Sequence, residues 1–416
     1  MKIVILGAGV IGVTSAWFLL EDGHEVIVVD RLEGPGMETS FANGGQISVS
    51  QAEPWSNPQA PMKILKWLGN EEAPLLFRPM LSTRQWRWGL QFLYECLPGR
   101  TRANTVQILR LAMYSGAQLK QLRARTGVLY DHLERGILQL HFDPEEFEAA
   151  KARAQLVRRG GYDLRVVSAE QCLQIEPALS FGRHRPIGGT YAPNDESGDA
   201  HLFTRNLAEI CRQRGAVFRF DTEVERIETD SDGVKAVHVR TREGRQRVEA
   251  DAVVVCLGVR SPFLLEPLGV RVAVYPVKGY SVTIPGAGDR APSVCLTDEG
   301  YKLAMSRLGD RLRVAGTAEL NGYDKSINDV RCDAILKRVR ELFPQAGDFD
   351  HAEKWAGLRP ATPGNVPIVG GTRVPKLFVN TGHGTLGWTL CAGSGRAIAD
   401  IIGGRTPGVD FRFSHG

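Results

Sequence analysis

Three glycines, Gly7, Gly9 and Gly12, stand at G-x-G-x-x-G spacing directly behind the β-branched run Ile3, Val4, Ile5. At that spacing the first glycine permits a tight turn, the second lets backbone amides approach a pyrophosphate, and the third lets a helix pack closely on the strand. Ala8, Val10 and Ile11 fill the turn around them, and Ala16 keeps the helix small on its inner side. Asp30 closes a second apolar strand, EVIVVD, where an acidic side chain accepts hydrogen bonds from a ribose hydroxyl. Arg31 offers a charge to a ribose phosphate, but Asp30 would repel one, so the expected ligand carries an ADP with a free ribose. A second glycine set, Gly382, Gly384 and Gly387, with Thr385 and Leu386 between them, lies in NTGHGTLGWTL between a buried-strand pattern and a helix. Such a helix start presents unpaired amides and partial positive charge to an anion. A nicotinamide cofactor gives this second start no obvious task. A flavin does, because its reduced ring is anionic at the pyrimidine edge. A plain turn between strand and helix is the alternative reading.

These residues need a strand, a turn and a helix to hold them. The apolar spacing predicts a helix over 10–20, the runs IVI at 3–5 and EVIVVD at 25–30 predict strands, the uninterrupted run at 252–256 predicts a buried strand, and KLFVNTGHG reads as a strand meeting a glycine turn. The amino-terminal apolar stretch could also serve as an export signal or membrane anchor. Three glycines within it, the early charges Glu21 and Asp22, and the return to a strand argue against both. The segment 48–98 changes texture, with prolines at 54, 58, 61, 74 and 79 and four tryptophans (Trp55, Trp67, Trp86, Trp88), as expected of irregular chain with short helices. It is a cavity wall, a partner surface, a membrane contact or simple packing under loops. Val106, Leu109, Met113, Ala117 and Leu122 predict a long amphipathic helix over 102–125, and a second helix is expected over 144–159. A helix over 199–215 leads into short strands, and Gly258 ends the 252–256 strand. From 270 to 343 the rhythm becomes that of an antiparallel sheet, VAVYPVKGYSVTI, YKLAMSRL and RLRVAGTAEL, covered by a helix over 327–342. The expected fold is therefore α/β, with a Rossmann-like nucleotide-binding domain built from 1–50, 200–268 and 345–416. An α+β domain with an antiparallel sheet is expected from 51–199 and 269–344.

Composition narrows the function classes. Among 416 residues, 43% are apolar and 24% charged, and the net charge of +4 is slight. The short basic runs RARTG, VRRGG and REGRQR lack interleaved aromatics, so no nucleic acid partner is expected. The seven cysteines are widely separated, with no C-x-x-C and no histidine at ligand spacing; neither a metal nor a redox disulfide is expected. An odd cysteine count fits a reducing, cytoplasmic compartment and leaves open peripheral contact at the inner face of a membrane.

Taken together, GAGVIG with Asp30, ETSFANGGQIS, YAPNDESGD, YPVKGYS, WAGLRPATPGNVPIVG and NTGHGTLGWT resemble the flavin-dependent D-amino acid oxidase superfamily. Within it, the match is strongest to the small subunits of D-amino acid dehydrogenases, over 1–405. The resemblance implies FAD, a D-amino acid oxidase-like two-domain fold, and oxidative deamination of D-amino acids such as D-alanine to 2-oxo acids and ammonia. It also implies electron delivery to a quinone-linked acceptor of the respiratory chain. An oxygen-using oxidase of D-amino acids, glycine or sarcosine, and a D-hydroxyproline dehydrogenase, are variants of the same reading. An NAD-dependent enzyme, or a flavin-binding subunit without its own substrate, belongs to a different class.

That chemistry asks for a cation to grip a carboxylate. Arg359 in GLRP matches the family's arginine; it sits among small and apolar residues, where an unpaired guanidinium is costly unless a ligand or a structural salt bridge meets it. A phenol shares the carboxylate in the family, and Tyr301 matches best, with Tyr280 second; each could equally be an ordinary sheet tyrosine. His383 beside the second glycine turn is a candidate donor near the ring or a backbone support. Ser40, Asn43, Gly44, Gly45 and Gln46 follow the second strand where the family lays chain against the flavin. No side-chain base is required, since a deprotonated amine supplies its own lone pair, and positioning then provides most of the acceleration.

Overall fold

The computed structural model describes residues 1–67 and 69–414. His415 and Gly416, the end of the expected nucleotide-binding segment, lie outside the described residues.

Lys2–Leu6 forms the centre of a six-stranded sheet, parallel to Glu25–Val29 on one side and to Ala252–Val255 on the other. Its side chains alternate between two cores. Ile3 and Ile5 pack among the helices, while Val4 and Leu6 pack beneath an antiparallel three-stranded sheet, Glu223–Asp230, Gly233–Thr241 and Gly244–Glu249. Burial on both faces explains why these strands are continuous aliphatic runs rather than alternating ones. Val217–Arg219 and the Leu377–Thr381 strand extend the parallel order, and Ile368–Gly371 closes it in antiparallel sense.

Two helices cover the central strand. Val10–Glu21 packs against Gly387–Ile402, which in turn packs on Pro98–Thr126. The approach is close because small residues meet backbone. A Cβ at Gly395 would lie 3.1 Å from the Ser15 amide nitrogen, and one at Gly393 only 2.8 Å from the Ser115 Cα. This contact corrects the expected face of the long helix. Leu109 and Leu122 are buried, but Val106 and Met113 are only partly covered and Ala117 is exposed. The inward stripe instead runs through Thr101, Thr105, Ile108, Ala112, Ser115 and Leu119, since a glycine-bearing partner selects small residues over bulky ones.

The second sheet has nine strands among the described residues. Its path runs Glu353–Ala361, Tyr275–Ile284, Arg311–Leu320, Leu303–Leu308, Cys295–Asp298, Ile137–His141, Gly188–Ala192, Arg165–Ser168, with Leu75–Phe77 added in parallel to Arg311–Leu320. It is mixed rather than antiparallel throughout, because Cys295–Asp298 pairs in parallel with Ile137–His141. Asp329–Leu342 covers one face. The segment 345–416 divides: Glu353–Ala361 is the edge strand of this larger sheet, whereas Ile368–Gly371 and Leu377–Thr381 belong to the parallel one. All seven cysteines are buried and unpaired. No helix among the described residues is long and apolar enough to cross a membrane.

Candidate active site

A cavity of about 950 Å³ is lined by the first glycine turn, by residues between 38 and 46, and by the edge strand of the larger sheet. That is near the upper end of small-molecule sites, about 300–1,000 Å³.

At one end the wall is backbone. Gly7 has φ +105°, and a Cβ there would lie 2.5 Å from the Cys256 carbonyl oxygen; a Cβ at Gly12 would lie 1.9 Å from the Gly7 carbonyl oxygen. Gly7 is therefore demanded by the end of the neighbouring Ala252–Val255 strand, and Gly12 by the meeting of turn and helix. Gly9 is the N-cap of the Val10–Glu21 helix, without a side-chain cap and without an acid in the first turn, so the start of that helix faces the cavity with positive partial charge. The Val10 amide donates to Ser40 Oγ at 3.1 Å. Asp30 borders the cavity and accepts from the amides of Ala8 at 2.7 Å and Leu32 at 3.0 Å. Burial pushes its carboxyl upward, and those two amides oppose the shift. Arg31 is paired to Glu38 and so is not free to seek a phosphate.

The middle is a polar ledge. Asn43 Oδ1 accepts from the Gly45 amide at 2.9 Å, and Ser306 Oγ donates to the Gly44 carbonyl at 2.6 Å. Gln46 Nε2 donates to Thr297 Oγ1 at 3.0 Å, an acceptor shared with Gln51. Gly258, at φ +52°, and Ile11 border the same space.

At the far end stand a cation and a second helix start. Arg359 lies on the Glu353–Ala361 strand opposite Val277 and faces the cavity. Its guanidinium has no carboxylate partner among the described residues. It donates to the Thr317 carbonyl at 2.9 Å and reaches those of Lys278 and Gly316 at 3.5 Å, while the Trp55 ring lies 5.7 Å from Cζ. Burial, with Arg331 nearby, lowers its pKa to about 10, so it remains charged at neutral pH. Gly384, Thr385, Leu386 and Gly387 line the cavity at the start of the last long helix, whose N-cap Leu386 makes no side-chain cap bond. Gly382, at φ +80°, shapes the turn behind them without lining the cavity. His383 lines the cavity, faces Ser394 Oγ at 3.1 Å through Nε2, and is pushed by burial to about 3, hence neutral.

The two tyrosines fall elsewhere. Tyr301 is half-exposed in the turn before Leu303–Leu308, off the cavity, with its ring against Arg338 at 4.4 Å. The chain turns there through Lys302 at φ +55°, so the strand begins later than its apolar pattern suggests. Tyr280 borders the cavity, but strand alternation sets its side chain on the sheet face opposite to Gly279 and Arg359. Its hydroxyl donates to buried Glu319 at 2.5 Å, in a cluster with Lys278 and Arg78. Burial and that carboxylate raise the phenol well above its usual range. Neither hydroxyl shares the site with Arg359. Sequence reasoning overlooked Gly279 and Thr317, which border the cavity beside Arg359; Trp55, from the segment for which a cavity wall was one expectation, borders it there too. A glycine inside an alternating strand was the available signal for Gly279.

An uncapped helix start, a carboxylate at the strand end, a glycine-bearing ledge and a second helix start at the other end fit a dinucleotide with a ring able to bear negative charge. The comparisons agree. The chain is 52% identical over 415 residues to the D-amino acid dehydrogenase of Dechloromonas aromatica, covering 99% of both chains. It is 50% identical to that of Paramagnetospirillum magneticum, covering 98% of this chain and 96% of the relative. Among solved structures it superposes on glycine oxidase from Geobacillus kaustophilus with a TM-score of 0.76 at 22% identity, over 98% of this chain and 96% of the other. Glycine oxidase from Bacillus cereus gives 0.74 at 24%, over 97% and 95%. The model of the FAD-dependent oxidoreductase family matches residues 2–401, and this chain belongs to that family.

Proposed function

We propose that the chain oxidises D-amino acids, D-alanine among them, to 2-oxo acids and ammonia, as the flavin-bearing small subunit of a D-amino acid dehydrogenase. The observation that carries this reading is the Arg359 guanidinium, charged, walled by sheet backbone, open to the cavity and without an anion of its own among the described residues. A buried cation of this kind is stabilised when a carboxylate meets it in bidentate fashion. Bound FAD supplies the hydride acceptor. The residues of the chain do the rest by holding and orienting. Gly9 and the helix start behind it would hold the diphosphate, Asp30 the ribose, and residues 40–46 and 384–387 the ring. Arg359 fixes the substrate acid group, and neutral His383 braces the glycine turn rather than moving a proton. In domain terms, 1–50, 200–268 and most of 345–416 make the cofactor unit, while 51–199, 269–344 and the Glu353–Ala361 strand make the substrate unit.

The acceptor we propose is a membrane quinone, reached by peripheral contact from the cytoplasmic side. Support comes from the tryptophan-rich segment, which divides its rings. Trp55 and Trp67 line the cavity, Trp88 is buried, and Trp86 joins Leu90, Leu93 and Leu97 in an exposed apolar stripe beside it. Anaerobic addition of D-alanine should bleach the flavin absorption, and L-alanine should not. If neither isomer bleaches it, the substrate assignment is lost; stoichiometric peroxide in air would replace the quinone by oxygen.

A further inference from the structure

Gly279 sits in Tyr275–Ile284, a strand buried at all ten positions. Its backbone is ordinary extended chain, directly opposite Gly357, and places no demand for glycine. Arg359 does. A Cβ at residue 279 would lie 2.2 Å from Cζ, 2.2 Å from Nη1 and 2.3 Å from Nη2, and these guanidinium atoms are its three nearest neighbours. The guanidinium therefore lies flat on the backbone of the strand, in the space a side chain would take.

The wall beside it is also unusual. Lys278 pairs with Glu319 and Tyr280 with Gly316, so Thr317 and Ala318 together oppose the single residue Gly279. This is a β-bulge, and it holds Thr317 at φ +54°, a conformation that β-branched residues rarely adopt. The Thr317 hydroxyl is buried without a partner, while its carbonyl accepts from Arg359 Nη1 at 2.9 Å. Strain and an orphaned hydroxyl at one residue, next to a glycine filled by one side chain, share a single geometric result: the guanidinium is pinned between two strands.

We infer that Gly279 and the Thr317 bulge are positioning residues, a seat that fixes the direction in which Arg359 presents its charge to the cavity. This rests on the reading that Arg359 takes the substrate carboxylate. The pinned pose means that substrate binding need not first order a long flexible side chain. It also means that enlarging residue 279 displaces the guanidinium while leaving every charge in place.

The test uses the flavin-loaded enzyme and three variants: Gly279→Ala, Arg359→Ala and the double variant. Thermal unfolding and the dissociation constant for D-alanine, from anaerobic flavin reduction, are measured for each. Gly279→Ala is expected to weaken D-alanine binding by about tenfold or more and to lower Tm by several degrees. The double variant is expected to recover most of that Tm, because the clashing group is gone. Should Gly279→Ala alone fail to fold, a folded, flavin-bound double variant supports the seat, and an unfolded one overturns it. D-alanine binding within twofold of the parent in Gly279→Ala, or a Tm loss undiminished in the double variant, also overturns it. Arg359→Ala separates the two readings: if it leaves D-alanine binding intact, the carboxylate assignment falls, whereas a loss there with none in Gly279→Ala removes only the seat.

Discussion

The two ends of the cavity are built by different physics. The Gly9 end is made of backbone: its charge is the fixed partial charge of a helix start, its shape is set by contacts such as Gly12 against Gly7, and its three glycines lie within one stretch of chain, joined by Asp30, Ser40 and the Cys256 carbonyl. The Arg359 end is made of a formal charge carried on an edge strand, seated on neighbours from residues 278, 279, 316 and 317. A backbone site costs little to keep without its ligand, since its amides and dipole are part of the fold. A buried cation without a counter-ion is a standing penalty, and the pKa of Arg359, lowered to about 10, expresses it. Under the roles proposed for the two ends, the comparison predicts that cofactor retention and substrate capture are lost separately.

Arg359→Gln should give the largest effect. Removing one member of a desolvated charge pair costs about 3 kcal/mol, or roughly a hundredfold in D-alanine kcat/KM. Flavin content, read from the visible spectrum, should stay stoichiometric; a colourless protein would mean that the two ends are not separable. Gly12→Ala is the converse. Forcing a Cβ into the Gly7 carbonyl should cost about 2 kcal/mol or more of stability and release flavin, while whatever fraction keeps its flavin should bind D-alanine normally.

A pH titration sharpens the contrast. His383 has its pKa pushed by burial from 6.5 to about 3, so the folded protein refuses a proton that the unfolded chain takes up. Its contribution to stability is complete above pH 6.5 and is lost as pH falls from there toward 3, at about 1.4 kcal/mol per unit, hence roughly 2 kcal/mol at pH 5. His383→Gln should make that acid limb of Tm against pH shallower, leaving the part that His141 contributes, since burial pushes it down to about 4, and Arg359→Gln should leave the limb unchanged. An acid limb unaltered in His383→Gln would place the titrating group elsewhere. Trp55→Leu should have the smallest effect. Losing a partly exposed ring 5.7 Å from the Arg359 Cζ is worth about 0.5–1 kcal/mol, a two- to fivefold rise in KM for D-alanine with kcat nearly constant.

Legibility followed the same division. The turn at Gly7, Gly9 and Gly12, the strands around it and the helix at 144–159 were readable because periodicity and glycine spacing act over a few residues. For Arg359, the apolar surroundings marked a guanidinium in need of a partner and the family resemblance suggested which, but nothing near GLRP says what it will face. Tyr280 and Tyr301 misled because a tyrosine in an apolar run carries no mark of which sheet face it takes or where a turn postpones the strand. The short strands Cys295–Asp298 and Gly244–Glu249 escaped notice because four to six residues with polar members show little pattern.

By itself the sequence determined the amino-terminal glycine turn, since a steric rule needs glycine wherever strand, turn and helix come within touching distance. Only the tertiary structure decided what surrounds Arg359. Its neighbours arrive from strands some 40 and 80 residues earlier in the chain, at Thr317 and Lys278, and which face each presents depends on a register and a bulge that no short window of residues specifies.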